Sequence, residues 1–121
     1  MKLPWPILPL ILAAGLPLIA SSPWTPKQRA AEISFGVLLA ADCLQTLDIR
    51  HHPGMYETNP VMGRHPSDLE TVGYFAAAGL LQFWLTDSLP PWGRNLTLGV
   101  SNGLEAGVVA HNFSIGLKLK F

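Results

Sequence analysis

The sequence predicts an all-α fold, an integral membrane helical bundle of three or four transmembrane helices joined by short loops. Three observations lead there. Charged residues make up only 13% of the 121 residues, against roughly 25% in an ordinary soluble domain. Hydrophobic residues reach 49%, which excludes disorder. The apolar residues gather into four charge-poor stretches, 5–20, 33–49, 71–86 and 96–117, on a scale set by the roughly 17–25 residues that a membrane helix needs.

The first stretch supports two readings. Met1 and Lys2, the apolar run 7–19 and the small residues Ala20-Ser21-Ser22 have the layout of a signal peptide with its cleavage site. The same residues form a first transmembrane helix if retained, since lipid-embedded helices tolerate prolines such as Pro9 and Pro17 better than soluble ones do. The chain divides accordingly into a hydrophobic N-terminal segment, 1–22, and a helical membrane domain, 23–121, with a Pro/His-rich loop at 50–66. In a four-span arrangement Lys2, Arg50, Arg64, Lys118 and Lys120 fall on one side of the bilayer, and Lys27, Arg29 and Arg94 on the other. Counted by the excess of cationic residues inside, this places the 50–66 loop and the C-terminus in the cytoplasm.

The punctuation of the later stretches is explicit. Asn59-Pro60 reads as an N-cap with proline at the first helical position, which predicts one short helical turn over 60–64 closed by Gly63. Ser67-Asp68-Leu69-Glu70 is a capping box that starts the next helix at Ser67, with two acids at the positive end of its dipole. Leu89-Pro90-Pro91 ends that helix, and Trp84 and Trp92 suit an interfacial belt. In the last stretch Gly99, Gly103 and Gly107 share one face, a spacing that lets lipid-embedded helices approach closely. Gly36 with Ala40 and Gly73 with Ala77 offer matching grooves, and the spacing leaves open whether the packing lies within one chain or between copies. Phe113, Ile115, Leu117, Leu119 and Phe121 alternate as a barrel strand does. Barrels need at least eight such strands, and runs such as Leu38-Leu39-Ala40-Ala41 do not alternate, so only an extended tail from about Leu117 is expected.

Polar residues within the spans define the candidate site. Asp42, Gln45 and Thr46 form one stripe on the second stretch, and Asn102, Glu105 and Asn112 another on the fourth, with His111 beside it. Facing each other, the stripes satisfy one another's hydrogen bonds away from lipid, with Gln45 or His111 as donor to Glu105. Such stripes serve either as interhelical glue or as a functional polar pocket, capped by Glu57 and Asn59 of the loop. Asp48 is expected at headgroup level, paired with Arg50, and Glu57 has backbone amides near Asn59 within reach.

Several function classes find no support. Lys+Arg 8 balance Asp+Glu 8, leaving no basic excess for nucleic acid. The single Cys43 excludes an internal disulfide framework and a zinc ribbon. His51, His52 and His65 are of metal-ligand type, but they match no ligand spacing, so neither a metal nor another cofactor is expected. Ser101 and His111 lie about 15 Å apart along one helix, too far to form a nucleophile–base pair.

Read together, Asp42-x-x-Gln45-Thr46, Glu57-Thr58-Asn59-Pro60-x-x-Gly63-x-His65-Pro66-Ser67, Tyr74-Phe75 and His111-Asn112-x-x-x-Gly116 resemble a group of small membrane proteins of proteobacteria and their phages or prophages. The resemblance spans about residues 40–121. It implies a multi-pass bacterial inner-membrane setting and a phage-linked origin, and carries no activity with it. The expected partners are the lipid bilayer and either a second copy or another membrane protein. The expected role is non-enzymatic, through helix–helix contacts; the alternative is a membrane-embedded enzyme or transporter-like site built on Asp42, Gln45, Thr46, Glu105, His111 and Asn112.

Overall fold

The computed structural model describes residues 22–119. The choice between signal peptide and first span falls on 1–21 and so lies outside the described residues. Three helices run through the rest, with no strand among the described residues: α1, Pro26–Asp48; α2, Asp68–Asp87; and α3, Pro91–Ser114. A 3₁₀ turn, Ile49–His51, prolongs α1.

Two helices start on side-chain caps and the third on a proline pair. Thr25 opens α1 with a reciprocal capping box. Its hydroxyl accepts from the Gln28 amide N–H, and the Gln28 side chain accepts from the Thr25 N–H. Ser67 opens α2 by accepting from the Glu70 N–H at 3.1 Å. Pro91 sits at the first position of α3, where a missing N–H is harmless. Gly116, at φ +97°, closes α3. The Leu117 N–H reaches the Asn112 carbonyl and the Gly116 N–H reaches that of Phe113, the paired bonds of a Schellman end. Buried Leu117 seals the turn, so α3 stops at Ser114, short of Leu117.

The helices run up, down, up, so α1 and α3 lie side by side and parallel. Their contact is the most extensive in the molecule, α1 with α2 comes next, and α2 with α3 is slight. Phe35 and Leu39 of α1 pack with Phe75 of α2 and with Met62, a loop residue that reaches back between the helices. The expected helical turn at 60–64 does not form. Asn59 instead directs a β-turn, its side chain accepting from the Val61 N–H and its carbonyl from the Met62 N–H. Gly63 follows at φ +78°, and a left-handed residue cannot continue a helix.

Polar side chains are numerous in the interior, and many large hydrophobic ones lie outside. Among the described residues the interior holds fourteen polar or charged residues and ten hydrophobic ones, so polar groups predominate where a soluble core would exclude them. Ile33, Leu80, Trp92 and Leu96 are among the large hydrophobic side chains left exposed. Of the three helices only α1, taken through His51, is both long and apolar enough to cross a membrane. Only 28% of its most apolar window is buried, which is unlike the core helix of a soluble protein. Helices α2 and α3 have the length, but inward residues such as Gln82, Arg94, Glu105 and Asn112 lower their mean hydropathy. The expectation of three or four apolar spans therefore reduces to an all-helical bundle with one qualifying helix.

The glycine ladder makes no close helix contact among the described residues. A methyl group built on Gly99, Gly103 or Gly107 meets nothing within 4 Å, and the same holds at Gly36 and Gly73. None of them packs against another helix among the described residues. The close approach lies at Gly79 of α2, where an added Cβ would come 3.1 Å from Leu39 Cδ2.

Candidate functional site

The parallel pair α1–α3 builds the centre of the site. Asn112 is fully buried, and its amide nitrogen donates to Asp42 Oδ1 at 3.1 Å and to Gln45 Oε1 at 3.0 Å. Gln45 Nε2 donates in turn to the Val109 carbonyl at 3.2 Å, so this amide is not the donor to Glu105 that the stripe pattern predicts. Thr46 turns back on its own helix, its hydroxyl donating to the Asp42 carbonyl at 2.9 Å. Asn102 donates to the Ala31 carbonyl at 3.0 Å as well as to Leu98 of its own turn. The bonds from Asn112, Gln45 and Asn102 that cross between α1 and α3 fix the axial register of the pair, because a slip of one residue would break them.

The loop adds two more members. Glu57 and Asn59 are buried although they belong to no helix. Glu57 Oε1 accepts from the backbone N–H groups of Thr58 and Asn59 at 3.0 and 3.1 Å, while its own N–H donates to the Arg64 carbonyl. The Arg64 guanidinium lies 4.3 Å above the Tyr56 ring. This stapling carries the loop inward until Asn59 stands next to Tyr74 of α2, whose hydroxyl lies in the field of Glu57, Asp42 and Glu105. Acidic side chains from three segments, Asp42, Glu57 and Glu105, thus lie within electrostatic reach of Tyr74. His111 sits half-buried on the flank of α3, outside the sealed interior.

One end of the bundle holds a second polar centre that spacing did not reveal. Arg94, counted above among the loop cations, is fully buried. Its guanidinium donates to the carbonyls of Thr86 at 3.3 Å, Asp87 at 3.2 Å and Leu89 at 3.4 Å, and towards Pro23 at 3.5 Å and Gln28 Oε1 at 3.4 Å. These acceptors include the open carbonyls at the C-terminus of α2, the negative end of its dipole. The Trp24 ring lies 4.9 Å from the guanidinium, stacks on Phe83, and donates its N–H to Asp87 at 2.7 Å. Gln28 also donates to Asn95 Oδ1 at 2.8 Å. A lone Arg after Pro-Pro gives no periodic signal, and the Thr25-x-x-Gln28 box went unread beside it.

At the opposite end Asp48 is not paired with Arg50. It accepts from the Lys118 backbone N–H at 2.9 Å and meets His52 Nε2 at 2.8 Å, with His51 Nδ1 at 3.6 Å. Arg50 reaches Asp68 at 2.6 Å instead, on an exposed surface. Asp48 therefore clasps the C-terminal tail to α1. Among the described residues no three His, Cys, Asp or Glu side chains converge to hold a metal ion.

The arrangement binds helix to helix by direct side-chain contact at Asp42, Gln45 and Asn112. Its surface clefts lie elsewhere. One of about 410 Å³ runs along α1–α3 past Ser34 and Asn95, and one of about 450 Å³ lies between α1 and α2 beside Trp24. Neither a family model, nor a curated protein, nor a solved structure matches the chain.

Proposed function

We propose that the chain is a small multi-pass inner-membrane protein whose three described helices cross the bilayer with their polar faces inward, and that it acts through contacts between its open glycine face and another membrane helix. The observation that carries this reading is the placement of polarity: polar residues predominate inside, and large hydrophobic ones lie outside. Lipid is the solvent that suits such a surface. Helices of 23, 20 and 24 residues are about 30–36 Å long, matched to a hydrocarbon core of about 30 Å. Gly99, Gly103 and Gly107 leave a groove on α3 that no part of the described chain fills, the surface by which lipid-embedded helices associate.

Alkaline extraction of membranes combined with cysteine labelling tests it. In a Cys43→Ser background, cysteines at Leu80 and Leu104 should resist a water-borne maleimide, and cysteines at Arg29 and Arg64 should react. The chain should stay in the pellet, and Gly103→Leu should reduce cross-linking to its partner helix. Recovery of a monodisperse product without detergent overturns the reading.

A second reading, a membrane-embedded enzyme or transporter-like site, is favoured by the gathering of Asp42, Glu57 and Glu105 around Tyr74. Ionisable residues at membrane depth are commonly functional. Proton flux into vesicles containing the chain, removed by Glu105→Gln with helix content unchanged, supports it; equal flux in both disposes of it.

A further inference from the structure

The cleft along α1–α3 has a volume of about 410 Å³ and opens at the end of the bundle where residues 1–21 join the described chain. Lys27 and Asn95 stand at its mouth, and Ser34 and Asn102 line it more deeply. Its polar floor is largely spent on bonds within the bundle. Gln28 donates to Asn95 Oδ1, and Asn102 donates to the carbonyls of Ala31 and Leu98. What faces a visitor is small: Ala31, Gly99 and the exposed Ser34. A Cβ on Gly99 would meet nothing within 4 Å, so no described residue fills the groove there.

Two observations say what does. The first is where the described chain begins. The Pro23 carbonyl faces the Arg94 guanidinium at 3.5 Å, in the first turn of α3. Trp24 covers the α2 side of the same end by stacking on Phe83. Ser22 therefore enters beside the mouth of the α1–α3 cleft. The second is depth. Ser34 and Gly99 both lie about 12 Å along their helices from Pro26 and Pro91, at 1.5 Å per residue. A helix wound back from 20–22 comes to that depth at Leu12-Ala13-Ala14, and alanine methyls suit a glycine groove. Pro17 has no N–H, so in such a helix the Ala13 carbonyl lacks its donor. In lipid a carbonyl freed by proline is satisfied by a neighbouring helix, commonly through a serine or threonine. Ser34 stands at that level.

We propose that the α1–α3 cleft receives the chain's own N-terminal apolar segment, residues 5–20, as a fourth helix antiparallel to α1 and α3. Ala14 faces Gly99, and the Ser34 hydroxyl donates to the Ala13 carbonyl that Pro17 frees. Pro9 comes level with Gly103, where a proline bend carries the segment off the ladder and leaves Gly103 and Gly107 to the partner helix. An acyl chain has no carbonyl to offer Ser34 at this depth, and a second copy would have to enter past the chain's own Ser22. This inference rests on the membrane reading above.

Disulfide formation in the full chain, in membranes and in a Cys43→Ser background, tests it. Ala14→Cys with Gly99→Cys should close a bond within one chain, because the two Cβ atoms then come to the spacing of about 4 Å that a disulfide needs. The control, Ala14→Cys with Leu80→Cys, lies at similar depth, but Leu80 faces outward from α2. The 14–99 pair should exceed it about tenfold, as a tethered reaction of matched geometry does. Ala13→Cys with Ser34→Cys repeats the measurement from α1. Ser34→Ala should lower the 14–99 yield about threefold, the scale of one hydrogen bond, and Pro17→Ala should remove that sensitivity. Equal yields at 99 and 80 overturn the docking. A disulfide found only between two chains assigns the cleft to a second copy and overturns it, as does an intact mass that shows the first stretch removed. If the chain leaves the membrane on alkaline extraction, the membrane reading itself has failed; if it stays and neither the 14–99 nor the 13–34 pair closes, only the docking has.

Discussion

The two seams of α1 are built on opposite principles. Against α3 it is joined by hydrogen bonds: Gln28 to Asn95, Asn102 to Ala31, Gln45 to Val109, and Asn112 to Asp42 and Gln45. Against α2 it is joined by shape: Phe35, Leu39, Phe75 and the inserted Met62, with Gly79 allowing Leu39 to approach. The first seam fixes register, because each bond has one partner and a slip leaves buried groups unmet. The second fills space and tolerates exchange among side chains of similar volume. Arg94 stands where both seams end and ties all three helices to one guanidinium.

The contrast can be broken in order of expected effect. Arg94→Met should lower the unfolding free energy by about 3–5 kcal/mol, since it strands several buried acceptors at once. Titration with dodecyl sulfate, followed by helical dichroism, measures it. Arg94→Lys should recover less than half of the loss, because an ammonium lacks the planar fork of donors; a loss below about 1 kcal/mol would remove Arg94 from its structural role. Asn112→Leu should follow at about 2 kcal/mol, for Asp42 and Gln45 lose a common donor. A double-mutant cycle with Asp42→Ala should give a coupling of about 0.5–3 kcal/mol, and additivity would show that the polar seam is not a unit. On the apolar seam Gly79→Leu should destabilise by about 1–3 kcal/mol through overpacking. Gly103→Leu should leave the stability of the single chain within about 1 kcal/mol, because it gains helix propensity and meets no neighbour. Reversal of those two would exchange the roles assigned to the glycines. Smallest of all, Arg50→Gln should change stability by less than about 1 kcal/mol, and less still in high salt, since both partners of its ion pair are exposed. The same titration repeated at two salt concentrations checks it.

Legibility followed the same divide. The polar stripes announced themselves, because Asp42 and Gln45 on α1 and Asn112 on α3 are costly in apolar helices, and spacing sets each stripe on one face of its own helix. Ser67 and the Pro-Pro break were equally plain, being local chemistry. The apolar seam was not, because one glycine among several looks like another: Gly99, Gly103 and Gly107 repeat regularly yet face outward, and solitary Gly79 makes the contact. Arg94 and Asp48 were misread as surface charges because charge alone does not disclose burial. Whether an arginine is inside depends on where the carbonyls of another helix end, which is settled only by the turn at 88–90. Glu57 and Asn59 were legible as a cap, and Glu57 accepts from the Asn59 N–H as expected; the inward turn of Met62 depended on a loop folding back, and no periodicity describes that.

The parallel pairing of α1 and α3 has a consequence for the order of synthesis. The partners of Asp42 and Gln45 reside some 70 positions downstream, so the first helix emerges from the ribosome with its polar face unmet and α2 able to cover only its apolar side. In a bilayer that helix would be poorly accommodated until Asn112 arrives. Under the membrane reading proposed above, this pairing favours lateral release of the three described helices together, held by the insertion machinery until the last is made.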